Sequence, residues 1–330
     1  MATQPTRIAL TIGDPAGIGP ELIARLLASP RTHDHAHILL IGSCAALEAG
    51  ARAANVPVPA ASDQLEIVQW AGFDLTFETG VAGADNGRFM LDSLTLGIDL
   101  VKSGRADALC FAPLNKSALR KGGMVEEDEM RWFAKLLGHT GTCGELNVLD
   151  TLWTARVTSH IPLKDVSAHL TPAAVADAIR MLTGALRAAG NPAPRIGVCG
   201  LNPHNGDNGS YGSEEIEVIA PGIALADSQG FPALGPFPAD TIFLRARSGQ
   251  LDGIVSMYHD QGQIATKLLG FEAGVTVEGG VAVPITTPAH GTAYDIVGKG
   301  VSSVTAMTNA FDLACRMAAS RRAGGNAALA

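Results

Sequence analysis

The stretch RIALTIGDPAGIGPELIARLLAS, residues 7–29, reads as one unit of α/β structure. RIALTI is short and almost wholly apolar, as a strand covered on both faces is, and ELIARLLAS spaces its large aliphatic side chains at helical intervals. Between them, GDPAGIGPE gathers Gly13, Gly17 and Gly19. Glycine permits tight backbone paths and close approach to a ligand, and Pro20 suits a first helical position. A strand that ends in such a turn places it at the carboxyl edge of a sheet, where open α/β folds bind ligands. The spacing matches neither G-x-G-x-x-G nor a Walker A loop. A plain strand-to-helix turn explains it as well as a binding loop does.

The same alternation continues outward. HILLIG (37–42) precedes AALEAGARAAN, and DALCFAP (107–113) precedes a charged amphipathic segment. ARVTSH (155–160), AAVADAIRMLTGALRAAG (173–190), RIGVCG (195–200), GIVSMYH (253–259) and a final helix near 309–320 follow. Strands alternating with helices predict α/β layers. The 330 residues, 47% hydrophobic and 17% charged, suit a packed chain of two lobes or one large unit. No linker of biased composition marks a boundary, and the reading places one near residue 125.

Charge and cysteines narrow the function classes. With 24 Lys and Arg against 32 Asp and Glu, the net charge of −8 denies nucleic acid the basic footprint it needs. Cys44, Cys110, Cys143, Cys199 and Cys315 are scattered without C-x-x-C spacing, which argues against a disulfide framework or a cysteine zinc site and for reduced thiols. No signal-type apolar segment opens the sequence and no run of about 18 apolar residues occurs. A cytoplasmic protein without membrane or nucleic-acid partners is the expectation.

Three histidines stand in matching contexts: His160 in SHIPL, His204 in GLNPHNG and His259 in MYHDQG. Each follows a hydrophobic strand, so distant parts of the chain can converge on one side of a sheet. Neutral imidazoles bind Zn²⁺ and similar ions, and three of them leave positions open for substrate oxygens. Their spacing is not diagnostic, and hydrogen-bonded structural histidines remain an even alternative. The loop GLNPHNGDNGSYGSEE (200–215) offers backbone amides to a phosphate or nucleotide, although Asx turns account for its composition equally well. Residues 259–300 mix a histidine, an acid, Lys267 and many glycines, a composition suited to a cleft wall.

Taken together, GDPAGIGPE, APLNK (112–116), SHIPL, GLNPH, PADT (238–241), YHDQG and HGTA resemble the 4-hydroxythreonine-4-phosphate dehydrogenase family, in family order and over nearly the whole chain. The resemblance implies an isocitrate/isopropylmalate dehydrogenase-like fold, two α/β/α lobes with a cleft between them. On that basis residues 1–125 with 300–330 form one lobe, and 126–299 form the other, with the dimer interface. It implies NAD and a divalent metal such as Zn, Mg or Co, the metal held by His160, His204 and His259 in a site shared within a homodimer. Asp240 and Asp260 match acids suited to orienting imidazoles. Lys267 matches a substrate-binding lysine and is the candidate for proton transfer. Asn202, Gly206, Glu214 and Gly291 lie in the loops assigned to NAD. The implied chemistry is oxidation of a secondary alcohol β to a carboxylate, then loss of CO₂. A metallohydrolase and a non-catalytic metabolite-binding homologue are the alternatives.

The substrate positions depart from the family. Where its phosphate-using members carry Gly-His-Thr-Glu-Phe, this chain has Asp128-Glu129-Met130-Arg131-Trp132, and the GHTG at 138–141 matches only if shifted by ten residues. Positions of a substrate-contacting Asn and Arg fall on Thr276 and Ile285. A phosphate dianion needs several charge-assisted donors, each worth about 1.5–3 kcal/mol. The expectation is therefore an unphosphorylated substrate, such as a cis-dihydrodiol carboxylate of the terephthalate type. Glu129, Met130, Arg131, Thr276 and Ile285 would line its site, with Arg131 pairing a second carboxylate. A genuine 4-phosphohydroxy-L-threonine dehydrogenase of pyridoxal phosphate biosynthesis is the alternative.

Overall fold

The computed structural model describes residues 5–270 and 272–324. Among them run eleven strands: β1 (Thr6–Thr11), β2 (Ala36–Ile41), β3 (Leu65–Ile67), β4 (Ala108–Phe111), β5 (Gly144–Leu149), β6 (Leu152–Arg156), β7 (Ile196–Cys199), β8 (Leu234–Phe237), β9 (Gly253–Ser256), β10 (Val275–Gly279) and β11 (Ile285–Pro288). The chain divides into two units. Among the described residues, one holds 5–140, Glu272–Val277 and 281–324; the other holds 141–270 and Glu278–Gly280.

These divisions correct the expected lobes, 1–125 with 300–330 and 126–299. Strand β11 pairs in parallel with β4, Ile285 opposite Leu109, which returns residues 281–299 to the first unit. Helix Glu129–Leu137 also belongs there, because Phe133 is fully buried with its ring 5.6 Å from that of Phe111 in β4.

In the first unit the strand order is β3-β2-β1-β4-β11-β10. Every pair is parallel except β10 with β11. The central strands are continuous apolar runs, Ile8-Ala9-Leu10 and Ile38-Leu39-Leu40, all buried, as expected of parallel strands covered on both faces. Helix Gly19–Ala28 buries Leu22, Ile23, Leu26 and Leu27, and the terminal helix Thr305–Gly324, longer than the predicted 309–320, packs on β1, β4 and β11. Since β2 and β4 flank β1, the chain leaves β1 on one side and returns on the other. The topological switch point lies between β1 and β4, where open α/β sheets bind ligands. There the two predicted turns touch: Asp14 N donates to Pro113 O at 2.9 Å.

The second unit has the order β5-β6-β9-β7-β8. Strands β6, β9, β7 and β8 are parallel, and β5 joins β6 as a hairpin across Asp150 and Thr151. Asp150 has φ +51, the left-handed conformation that a two-residue hairpin turn demands and aspartate tolerates. Helix Pro172–Ala188 replaces the predicted 173–190. Thr171 caps it by accepting from Ala174 N, Pro172 opens it, and Val175, Ile179, Leu182 and Leu186 form its buried face. Among the described residues no helix is long and apolar enough to cross a membrane.

Gly13 sits at the switch point with φ +64, and a Cβ there would lie 2.3 Å from Ala112 O. Gly13→Ala adds a left-handed alanine and a backbone clash, and is expected to cost about 2–4 kcal/mol. The urea unfolding midpoint checks it; an unchanged midpoint contradicts this packing of the two turns.

Candidate active site

The three histidines follow three neighbouring parallel strands of the second unit. His160 lies beyond β6, His259 beyond β9 and His204 beyond β7, so all three leave the same carboxyl edge. The His160 and His259 ring centres are 5.8 Å apart. Two imidazoles on one zinc ion, with Zn–N of about 2.0–2.1 Å, have ring centres about 5–6 Å apart. Asp260 Oδ1 lies 2.6 Å from His259 Nδ1. A carboxylate only accepts, so Nδ1 carries a proton, and the neutral ring then presents the Nε2 lone pair that a metal needs.

His204 is exposed, its ring 6.2 Å from that of Tyr211. Among the described residues no group of three or more His, Cys, Asp or Glu side chains is placed to hold a metal ion. One chain therefore brings two of the three imidazoles together, and the donor set fits a cation in that part. Asp240 lies exposed in the first turn of helix Ala239–Arg247, where the helix dipole favours a carboxylate. Lys267 is exposed on helix His259–Gly270, eight residues beyond His259 and hence about 12 Å further along the axis.

The loop bearing His204 is tightly organised. His204, Asn205, Gly206, Asp207 and Asn208 all have positive φ, between +42 and +77. Such a run is costly for residues with side chains and persists only where neighbours hold it. Buried Glu215 supplies that hold, its Oε1 accepting from Leu201 N and Asn202 N, both at 2.7 Å. The Asn202 amide donates to Glu214 Oε2 at 2.7 Å and Glu215 Oε2 at 3.0 Å. Hydrogen bonds from Ser167 and Asn202 hold the Glu214 carboxyl below its ordinary value. Gly206 is buried, and a Cβ there would lie 2.6 Å from Glu215 Oε2. Asn202, Gly206 and Glu214, expected to bind NAD, thus shape this loop. Gly291 is exposed, with open space where a Cβ would be.

In the first unit, the switch point carries a network that sequence reasoning missed. Asp14 is fully buried, and Tyr294 Oη donates to its Oδ2 at 2.5 Å. Ala16 N and Asn86 Nδ2 donate to Oδ1 at 3.0 and 3.5 Å. Burial raises the Asp14 pKa and outweighs these hydrogen bonds. Loss of solvent, then the Asp14 hydrogen bond, pushes the Tyr294 phenol up. Ile18 N donates to Thr292 O, and Asn115 Nδ2 lies 3.5 Å from Thr292 Oγ1. The GDPAG, APLNK and HGTAYD segments therefore meet at one sheet edge.

The expected substrate positions need correction. Met130 is 2% exposed and Ile285 fully buried, so both are core side chains of the first unit. Arg131 is engaged, its Nε donating to Glu127 Oε2 at 2.8 Å, while Asp128 caps the helix by accepting from Arg131 N. Glu129, with a side chain 13% exposed, lies 3.5 Å from Lys116 Nζ of the APLNK segment. Thr276 is half-buried in β10, opposite Thr287 of β11.

Residues 34–314 match the family of the pyridoxal phosphate biosynthetic protein PdxA. The chain is 51% identical over 327 residues to a Pseudomonas aeruginosa protein named "Putative 4-hydroxythreonine-4-phosphate dehydrogenase 2", covering 94% of this chain and 96% of that one. The crystal structure of a 4-hydroxythreonine-4-phosphate dehydrogenase from Burkholderia phymatum superposes with a TM-score of 0.80 at 35% identity, over 96% and 99% of the two chains. A terephthalate 1,2-cis-dihydrodiol dehydrogenase from Burkholderia xenovorans is more distant, with a TM-score of 0.67 and 25% identity over 93% and 98%. The expected placement in that aromatic-acid branch gains no support from this ranking. By the length of the match and the likeness of its relatives, the chain belongs to the PdxA family of dehydrogenases.

Proposed function

We propose that this chain is an NAD- and divalent-metal-dependent dehydrogenase acting on a phosphorylated four-carbon hydroxy acid of the 4-hydroxythreonine 4-phosphate class. The observation that carries the reading is the His160–His259 pair at 5.8 Å, with Asp260 on His259 Nδ1. The substrate class rests on the name of the relative sharing half its residues with this chain. That supports the phosphorylated alternative over the unphosphorylated substrate read from the sequence.

In this reading the alcohol carbon β to the carboxylate gives a hydride to NAD⁺ and its hydroxyl gives up a proton, forming a β-keto acid and NADH. The keto acid then loses CO₂, and the remaining carbanion takes up a proton. A divalent cation, when bound, supplies Lewis acidity that lowers the alcohol pKa and polarises the new carbonyl. His160, His204 and His259 would hold it, and Asp260 fixes the His259 tautomer. Lys267 binds substrate and moves the final proton. The loops at 200–215 and around Gly291 would hold NAD, the latter offering open backbone.

The reading includes a homodimer, and two features support it. One chain gathers two of the three imidazoles, and the helix that begins at His259 exposes Ile264, Leu268 and Leu269. Leu268 is 83% exposed, so a second copy covering this face would bury it beside Lys267.

A second reading, an unphosphorylated substrate, draws on the acidic segment. Glu129 and Met130 stand where the family's phosphate-using members carry His and Thr, next to the acids Glu126, Glu127 and Asp128, and Glu129 lies beside Lys116. A phosphate dianion there meets like charge.

Turnover of 4-phosphohydroxy-L-threonine, its unphosphorylated counterpart and a dihydrodiol carboxylate, followed as NADH formation, separates the readings. Metal-dependent turnover of the phosphorylated compound, lost on chelation and restored by Zn²⁺, Mg²⁺ or Co²⁺, is expected. Efficient use of only the other two would establish the second reading. Asp260→Ala removes the acceptor at His259 Nδ1, and titration should show metal affinity about 10–100-fold weaker; unchanged affinity contradicts that role. Leu268→Glu should sediment as a monomer and lose turnover, whereas a dimeric, active variant removes this helix from the interface.

A further inference from the structure

The turns carrying the three histidines are tied together by side chains that no metal-ligand pattern includes. Gln261 lies two residues beyond His259, and its Oε1 accepts from Met257 N at 2.7 Å. Its Nε2 donates to Gly200 O, at the root of the His204 loop, at 2.8 Å. Met257 and Gly200 are both buried. A backbone N–H can only donate and a carbonyl only accept, so these two partners set the amide in one orientation.

A second tie runs to His160. Arg156 ends β6, and its side chain is 6% exposed. Its Nε donates to the Oγ of Ser159, the residue before His160, at 2.8 Å. Its Nη1 donates to Asn147 Oδ1 at 3.1 Å, and its Nη2 to Glu145 Oε2 at 2.8 Å. Asn147 Oδ1 also accepts from Gln263 Nε2 at 2.6 Å, on the helix that His259 begins. Thr158 completes the link, N and Oγ1 both donating to Met257 O at 3.1 and 2.8 Å.

We infer that Gln261 and Arg156 are positioning residues that brace the three histidine turns against one another and so set the chain's affinity for its divalent cation. The inference rests on the metal reading above. Glu215 and the internal hydrogen bonds of the His204 loop hold its shape, but its position against the His259 turn is set by the tie from Gln261 to Gly200 O. Gln261 is the side chain that joins its root to the His259 turn. Arg156 does the same for His160 with a planar fork that three acceptors match.

The test uses the full-length chain, freed of metal and titrated with Co²⁺ and Zn²⁺, with the metal-free unfolding temperature recorded beside it. In Gln261→Glu, Oε1 still accepts from Met257 N but a carboxylate faces Gly200 O. Co²⁺ and Zn²⁺ affinity should fall about 10–100-fold, the range for lost outer partners of metal ligands, with an altered Co²⁺ absorption spectrum. Gln261→Met gives the same readout if the glutamate variant fails to fold. Arg156→Lys keeps the charge beside Glu145 but loses the fork, and should weaken binding comparably. Variants that unfold at lower temperature yet bind Co²⁺ as wild type does overturn the inference, since the side chains are then only structural. His259→Ala separates the two levels. If wild type binds no metal, or binds equally well without His259, the metal reading fails and this inference with it. If wild type binds through His259 and the brace variants match it, the inference alone fails.

Discussion

The hydrogen bonding of β9 between β6 and β7 is the constraint on which the candidate metal centre depends. Arg156 pairs with Ser256 and Val198 with Val255, so the three parallel strands end nearly level. His160 stands four residues beyond Arg156 and His259 three beyond Ser256, which delivers both rings to the same edge within 5.8 Å. The insertion depends on Gly253, where a Cβ would lie 2.9 Å from side-chain atoms of Ile196 and Leu182. A residue with a side chain there would force the ends of Ile196, Leu182 and Leu186 to repack.

The first unit solves a different problem at its switch point. Three segments far apart in sequence must meet there, and Asp14 joins them, its carboxylate to Tyr294 and its backbone N–H to Pro113 O. Asp14 has lost its water and accepts from Tyr294, Ala16 and Asn86. An unpartnered buried carboxylate is costly, so each donor is under pressure to stay in place. Tyr294 thereby fixes the segment after Gly291, including Ala293 at φ +44. That segment is where the family resemblance places part of the NAD site.

Much of this was legible in the sequence because the signals are local. The strand, turn and helix of residues 7–29, the helix at 172–188 and the position of each histidine after a strand all follow from patterning within about twenty residues. What was not legible depends on long-range pairing. The assignment of 281–299 to the second lobe did not anticipate that β11 returns to β4 across some 175 residues of chain, nor the boundary near 125 that Phe133 packs on Phe111. Met130 and Ile285 were read as substrate contacts by motif alignment, which gives a position but not a direction; both point into the core. Asp128, Glu127 and Arg131 serve a helix cap and an ion pair. The Asp14–Tyr294 bond spans 280 positions, and Gln261 and Arg156 carry no pattern that sets them apart.

In chemical terms the second unit offers nitrogen donors with a fixed tautomer, and the first a desolvated polar edge at its switch point. The family shows a dehydrogenase, and the metal is the element of the reading from which the rest of the chemistry is built. X-ray absorption at the zinc edge of the loaded protein tests that element most directly. Three imidazole ligands would appear as a Zn–N shell at about 2.0–2.1 Å with the outer-ring scattering of histidine. A spectrum of oxygen ligands alone, or one without imidazole scattering, would contradict the assignment of His160, His204 and His259.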